Sequence, residues 1–435
     1  MPKGGDLHNH LTGSVYAETY FSIAVKDSLW VDMNTGKLSK EKPQSEQARQ
    51  LIPGMPDLHN IRMKLIDMWS IRNYEPYKSS LGADEYFFGT FGLFGAVTGN
   101  HMVELLQELR TRAAKENVQY MEIMMTSPSI GKDQIDAFDK QNAELKKAIL
   151  NNNQATVMTI LSKNASIWDK DSVITNIVNN FVHLYDSLDE KSRISDSNAP
   201  LCLYQAYASR GGEPLAVFAQ LYVSFKASMV SQKIVGVNIV AAEDSENSMD
   251  YYSGHMLMFQ YLKKKYKPVN TSMHAGELTL GLVKPEHLTY HISEAVNIAG
   301  ANRIGHGVDI AFEKDSRSLL DKMKNIPVEI NLTSNEFILG VKNGEHPFPI
   351  YMKAGIPIII STDDPGILRT NLAEQYTLLT LRYNPTYRDI KQFIKNSIIY
   401  SFVPDAQKQK LLDITEAAIA EFEKSWKNNI ALMKQ

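Results

Sequence analysis

The 435 residues contain one cysteine, Cys202. That scarcity excludes an intrachain disulfide and any cysteine-based zinc cluster, the C-x-x-C type included. Long apolar runs are also missing. None approaches the ~20 residues needed to cross a bilayer, so no membrane partner is expected. Charge of one sign is scarce too: the formal net charge is -3 and no long basic run occurs. The electrostatic footprint of a phosphate-backbone surface is therefore absent, and nucleic acid is not an expected partner. No charged-then-apolar leader opens the chain, so a cytoplasmic location is the default expectation. A secreted or periplasmic location follows instead if a leader was removed. Internal repeats and low-complexity tracts are likewise missing.

What is present is an ordinary globular composition, 43% hydrophobic and 22% charged, which is enough to build a packed core. The length fits one large barrel with insertions or two domains. Short β-branched apolar runs alternate with helix-period stretches, the mark of a parallel sheet covered by helices. Eight such runs stand at 6–11, 118–125, 155–161, 234–242, 271–277, 302–307, 327–333 and 356–362. A doubly wound open sheet shares this alternation. The last four runs, however, end in polar groups or glycine, as catalytic barrels require at the carboxyl ends of their strands. We therefore expect an α/β fold, a single (β/α)8 TIM barrel over 1–435 with helical insertions on the catalytic face.

Two connections, 12–117 and 162–233, are too long for simple crossovers. They are expected to carry lids or oligomer contacts, with a homodimer as one arrangement they allow. Within the first, Phe87, Phe88, Phe91 and Phe94 crowd together. They read either as ordinary helix core or as an apolar flap over a pocket. The polar stretch 31–56, broken by Pro and Gly, is expected to be an exposed loop. Residues 404–434 read as an amphipathic helix on the barrel's outside.

The expected strand ends carry the chemistry. GDLHNHL supplies His8 and His10, which a strand's period of two sends to one face. MHAGE supplies His274 and Glu277, RIGHG supplies His306, and STDDP supplies Asp363 and Asp364. Taken singly, His274 reads as a core histidine and Asp363 as a helix N-cap. Taken together, His8, His10, His274 and Asp363 form a ligand set suited to one Zn2+ with a position left for water. Glu277 is placed as a general acid beside that metal. His306 is placed to accept the water's proton or steady the developing charge, and Asp364 to bind substrate.

These motifs, in this order, resemble those of the adenosine deaminase family of the amidohydrolase superfamily. The likeness runs from MPKGGDLHNHLTGS through VGVNIVAAED, MHAGE, RIGHG and NLTSNEFILG to STDDP. The opening and the AAED segment are closest to the adenosine-deaminase-related growth factor branch. The resemblance implies hydrolytic deamination of adenosine or 2'-deoxyadenosine, a small purine nucleoside, at one zinc. It implies that Glu277 protonates N1, His306 orients the attacking oxygen and Asp364 contacts N7. It also implies that Phe87, Phe88 and Phe91 form a mobile apolar flap.

Two positions depart from the family pattern. Thr12 stands where an Asp reaches the ribose, and Ala241 stands where a glycine brings its backbone close to N3. Both bear on substrate recognition rather than on the reaction class. Other readings are a related amidohydrolase acting on another purine or an adenine nucleotide, and a secreted growth-factor-like protein that has lost turnover. The fourth expected strand contains no lysine to bridge two metals, which favours a single ion.

Overall fold

The computed structural model describes residues 1–266 and 268–433, with side chains as far as 428. Eight parallel strands form its centre: β1 (Gly5–His10), β2 (Tyr120–Thr126), β3 (Leu201–Ser209), β4 (Ile234–Val240), β5 (Ser272–Ala275), β6 (Arg303–His306), β7 (Val328–Ile330) and β8 (Ile358–Ile360). They pair as two four-stranded halves, β1-β2-β3-β4 and β5-β6-β7-β8. Two isolated parallel bridges, Asn9 with Asp363 and Val237 with Thr271, join the halves into a closed (β/α)8 barrel. At the first seam the Asp363 N–H donates to the His8 carbonyl (2.8 Å) and the His10 N–H to the Asp363 carbonyl (3.1 Å).

Seven of the eight expected strands are present, and the third is not where the sequence placed it. Residues 155–161 belong to a helix, Gln154–Trp168, capped by the Asn153 side chain, which accepts from the Thr156 N–H. Its buried Val157, Ile160, Leu161, Asn164, Ala165 and Trp168 follow a helical stripe that only a longer window reveals. The third strand is instead LCLYQAYAS, Leu201–Ser209, which pairs with both β2 and β4. Residues 162–233 are therefore not one insertion. They contain a barrel strand, with the crossover helix Pro214–Val230 behind it.

The stretch 31–56 also departs from its expected loop. Trp30–Asp32 pairs antiparallel with Leu38–Ser39 and Ala48–Gln50. Val31, Leu38 and Leu51 are buried beneath this small sheet, so its polar residues form only the outer face. The terminal helix runs Asp405–Met433, and position 434 of the expected span lies outside the described residues. Its Leu411 joins Leu7, Tyr120, Leu203 and Ile359 in a plug at the amino-terminal end of the barrel. Among the described residues no helix is long and apolar enough to cross a membrane.

Above that plug lies a buried polar layer. The Arg303 guanidinium donates to Glu122 (2.5 Å) and Glu329 (2.5 Å) and stacks on the Phe402 ring at 3.6 Å. Burial opposes ionisation of Glu329, yet Arg303 and His8 overcome it and hold the carboxyl at about 2. Removing one member strands a buried charge. Arg303→Met is accordingly expected to destabilise the fold by about 3–5 kcal/mol, read as a lowered urea midpoint.

Candidate active site

β1, β5, β6 and the turn after β8 deliver their polar ends to one mouth. The His8 and His10 rings lie 5.5 Å apart, and His8 lies 4.3 Å from His274 and 4.8 Å from His306. His8 Nε2 approaches Asp363 Oδ1 at 3.4 Å, and His10 Nε2 approaches the same oxygen at 3.3 Å. His10 Nε2 and His274 Nε2 face each other at 3.1 Å. Ligand atoms of His8, His274, His306 and Asp363 lie within 4.8 Å of one another, as do those of His10, Asp363 and Asp364. The structure thus brings together all the titratable residues singled out in the sequence.

The donor set fits a metal ion. The other nitrogens of two rings are already held: His8 Nδ1 by Glu329 (2.8 Å) and His274 Nδ1 by Asn238 Oδ1 (3.0 Å). Such outer partners fix which nitrogen faces the ion. His8 Nε2 is buried with no hydrogen-bond partner. Burial disfavours charge on His8, yet Asp363 and Glu329 outweigh it and push its pKa up to about 10. That pull marks a point where the buried carboxylates demand a cation. Burial and neighbouring histidines lower His274 well below its ordinary value, leaving a neutral ring with a lone pair to offer.

Around this cluster the remaining groups hold distinct protonation states. Burial opposes ionisation of Asp363, but the adjacent His10 and His8 rings hold it far below the usual carboxylate range. Burial first, and then the Asp363 charge, raise Glu277 and Asp364 well above that range. The shift favours the protonated form of both, the form able to donate a proton or hydrogen bond. Burial pulls His306 down to about 3. The Asn335 amide donates to its Nδ1 (3.0 Å), which assigns the ring's own proton to Nε2, facing Asp363 Oδ2 at 3.9 Å.

Four of these supporting residues were not picked out from the sequence. Glu243 accepts from the Gly276 and Glu277 N–H groups (3.1 and 2.9 Å) and pairs with His291 Nδ1 (2.5 Å), anchoring the turn that carries Glu277. Asn238, Glu329 and Asn335 hold His274, His8 and His306. Glu243, Asn238 and Asn335 lie inside AAED, VGVNIV and NLTSNEF. No spacing rule marks them, because their partners come from other strands.

Backbone geometry is tight here. His306 (φ 67°) and Asp363 (φ 64°) both occupy the left-handed region, which costs a non-glycine residue about 1–3 kcal/mol and clusters at functional sites. Ala241 has φ 86°, so the departure noted in the sequence puts a methyl on a backbone conformation that favours glycine. Gly305 has no such freedom to lose; a Cβ there would stand 2.7 Å from His8 Cε1.

A cavity of about 480 Å3 opens above the cluster, lined among others by His274, Glu277, Asp364, Ala241 and Thr12. Phe87, Phe88 and Phe91 line it too, from the helix Ala83–Thr90 and its end, with ring centroids 5.1 and 5.6 Å apart. Phe94 belongs to the core instead, stacked on Tyr20 at 4.3 Å.

Residues 213–418 match the sequence model of the family described as adenosine deaminase. That stretch carries His274, Glu277, His306, Asp363 and Asp364 but not His8 or His10. The adenosine deaminase of Clostridium kluyveri is 34% identical over 191 residues, 43% of this chain and 52% of that protein. The chain thus spans about half the length of that curated relative. The structure resembles adenine deaminase from Arthrobacter aurescens (TM-score 0.61, 18% identity, 97% of this chain and 100% of that one). It also resembles N6-methyl-AMP deaminase from Arabidopsis thaliana (TM-score 0.60, 18% identity, 97% and 98%). The two solved structures carry the barrel fold. The resemblance to the adenosine deaminase family holds in the carboxyl-terminal half, and these matches do not single out its growth-factor-related branch.

Two substitutions test the geometry. Gly305→Ala should displace His8 and lower the metal content of the purified protein severalfold, measured by elemental analysis. Ala241→Gly should relieve backbone strain and raise stability by about 1 kcal/mol, measured by urea unfolding.

Proposed function

We propose that this chain is a hydrolytic deaminase of adenosine or 2'-deoxyadenosine, releasing ammonia and the corresponding inosine, with His8, His10, His274 and Asp363 holding one zinc ion. The observation that carries this reading is the convergence of His8, His10, His274 and Asp363 beside the buried carboxyl groups of Glu277 and Asp364, at the floor of one cavity. Zinc suits this nitrogen-and-oxygen donor set, and when bound it lowers the pKa of water to roughly 7, supplying the nucleophile.

The chain's own residues do the rest. Glu277, kept protonated by its burial, donates to the ring nitrogen N1 beside the attacked C6, so that negative charge does not build on the purine. The His306 Nε2–H points into the cluster and steadies the attacking oxygen. Asp364, also protonated, donates to N7 and sets the plane of the base. Asp364 has room for this because its neighbour is Gly13, where any Cβ would fall on the carboxyl group. Phe87, Phe88 and Phe91 close over the base and exclude water, which strengthens these polar contacts.

Glu277→Gln should retain metal while reducing turnover by about 10²–10⁴-fold, followed as ammonia release from adenosine. His274→Ala should lose metal and activity together. Chelation followed by zinc addition should abolish and then restore turnover; activity indifferent to chelator would overturn the proposed site.

A further inference from the structure

Beside the catalytic cavity lies a second and larger chamber of about 790 Å3. Thr12, Phe91, Thr126 and Tyr207 line both, so the two are adjoining compartments of one opening. None of these four is fully buried, and Thr126 is exposed, which leaves the passage between them open to a ligand. The second chamber is walled by Leu11, Met102, Leu105, Met125 and Phe181, with Leu184, 45% exposed, at its rim. Among the described residues no lysine or arginine lines either compartment.

These walls decide what they can hold. If C6, N1 and N7 of a purine face the catalytic groups, the opposite end of the base, bearing N9 and its substituent, leaves past Thr12 toward the second chamber. A phosphate arriving there would find no cation to pair with: the walls are mostly methionine, leucine and phenylalanine, and the polar groups among them, Thr98, Asn180 and Tyr207, are neutral. Burying an unpaired anion in such surroundings is strongly unfavourable. Thioether and alkyl groups, in contrast, match flexible, polarizable Met102 and Met125. Thr12 offers a neutral hydroxyl at the junction, so no carboxylate there demands a sugar hydroxyl in return.

We propose that the second chamber is a specificity pocket for an apolar 5' substituent, and that the preferred substrates are 5'-modified, uncharged adenine nucleosides rather than nucleotides. This rests on the deaminase reading above and narrows it to a substrate class. Catalytic efficiency then grows with the apolar area that the 5' group buries, by about fourfold per methylene until the chamber is filled.

The test compares adenosine, 5'-AMP and a series of 5'-alkylthio-5'-deoxyadenosines from methyl to butyl on the zinc-loaded protein. Ammonia release gives kcat/KM, and calorimetry gives Kd for the same compounds. Expected are efficiencies that rise along the alkyl series and exceed that of 5'-AMP at least tenfold. Leu184→Lys, at an exposed rim position, should lower the ratio of butylthio compound to adenosine and raise that of 5'-AMP to adenosine. Deamination of adenosine with 5'-AMP equal to or better than the alkylthio series would overturn the specificity pocket and leave the deaminase reading standing. The converse outcome, no deamination of any adenine compound but Kd values tightening along the series, would overturn the deaminase reading and support the chamber.

Discussion

The hydrogen bond from His8 to Glu329 joins the barrel's interior to its mouth. Glu329 sits where no water reaches it, and it stays ionised only because Arg303, Ser272 and His8 surround it. The same carboxylate fixes which face of the His8 ring looks outward. Packing, charge balance and ligand orientation are therefore one problem at this residue. A barrel filled entirely with aliphatic side chains would be easier to stabilise, but it would leave the imidazole free to turn.

The metal-ligand candidates were legible in the sequence because each sits in or just after the carboxyl-terminal part of an expected strand, within a short motif rich in polar residues or glycine. Strand periodicity alone puts His8 and His10 on one face, and a barrel puts the ends of β5, β6 and β8 beside them. The third strand was not legible. ATVMTIL has the β-branched composition of a strand, but its apolar stripe continues at helical spacing through Trp168. LCLYQAYAS conceals a buried strand because Gln205 faces the polar layer, donating to Glu122 at 2.9 Å and to the Leu7 carbonyl at 3.0 Å. A polar residue that is satisfied inside a barrel reads as a surface residue when its partners lie more than eighty positions away.

A similar limit applies to the supporting residues. Glu243, Asn238 and Asn335 act through partners on other strands, so only the assembled barrel reveals them. The backbone strain at His306 and Asp363 is also invisible in sequence, since histidine and aspartate are common in ordinary turns. Ala241 is the exception: comparison with a family pattern flagged a missing glycine, and the backbone there has the conformation that glycine would relieve.

The barrel is sewn from two half-sheets, with a single bridge between strands at each seam. His8 and His10 belong to one half, while His274, His306 and Asp363 belong to the other. Any cation gripped by this set becomes a rivet through the Asn9–Asp363 seam, and the spreading of the two halves and the loosening of the ligands become a single motion. Such a fold cannot relax its wall without also relaxing its chemistry.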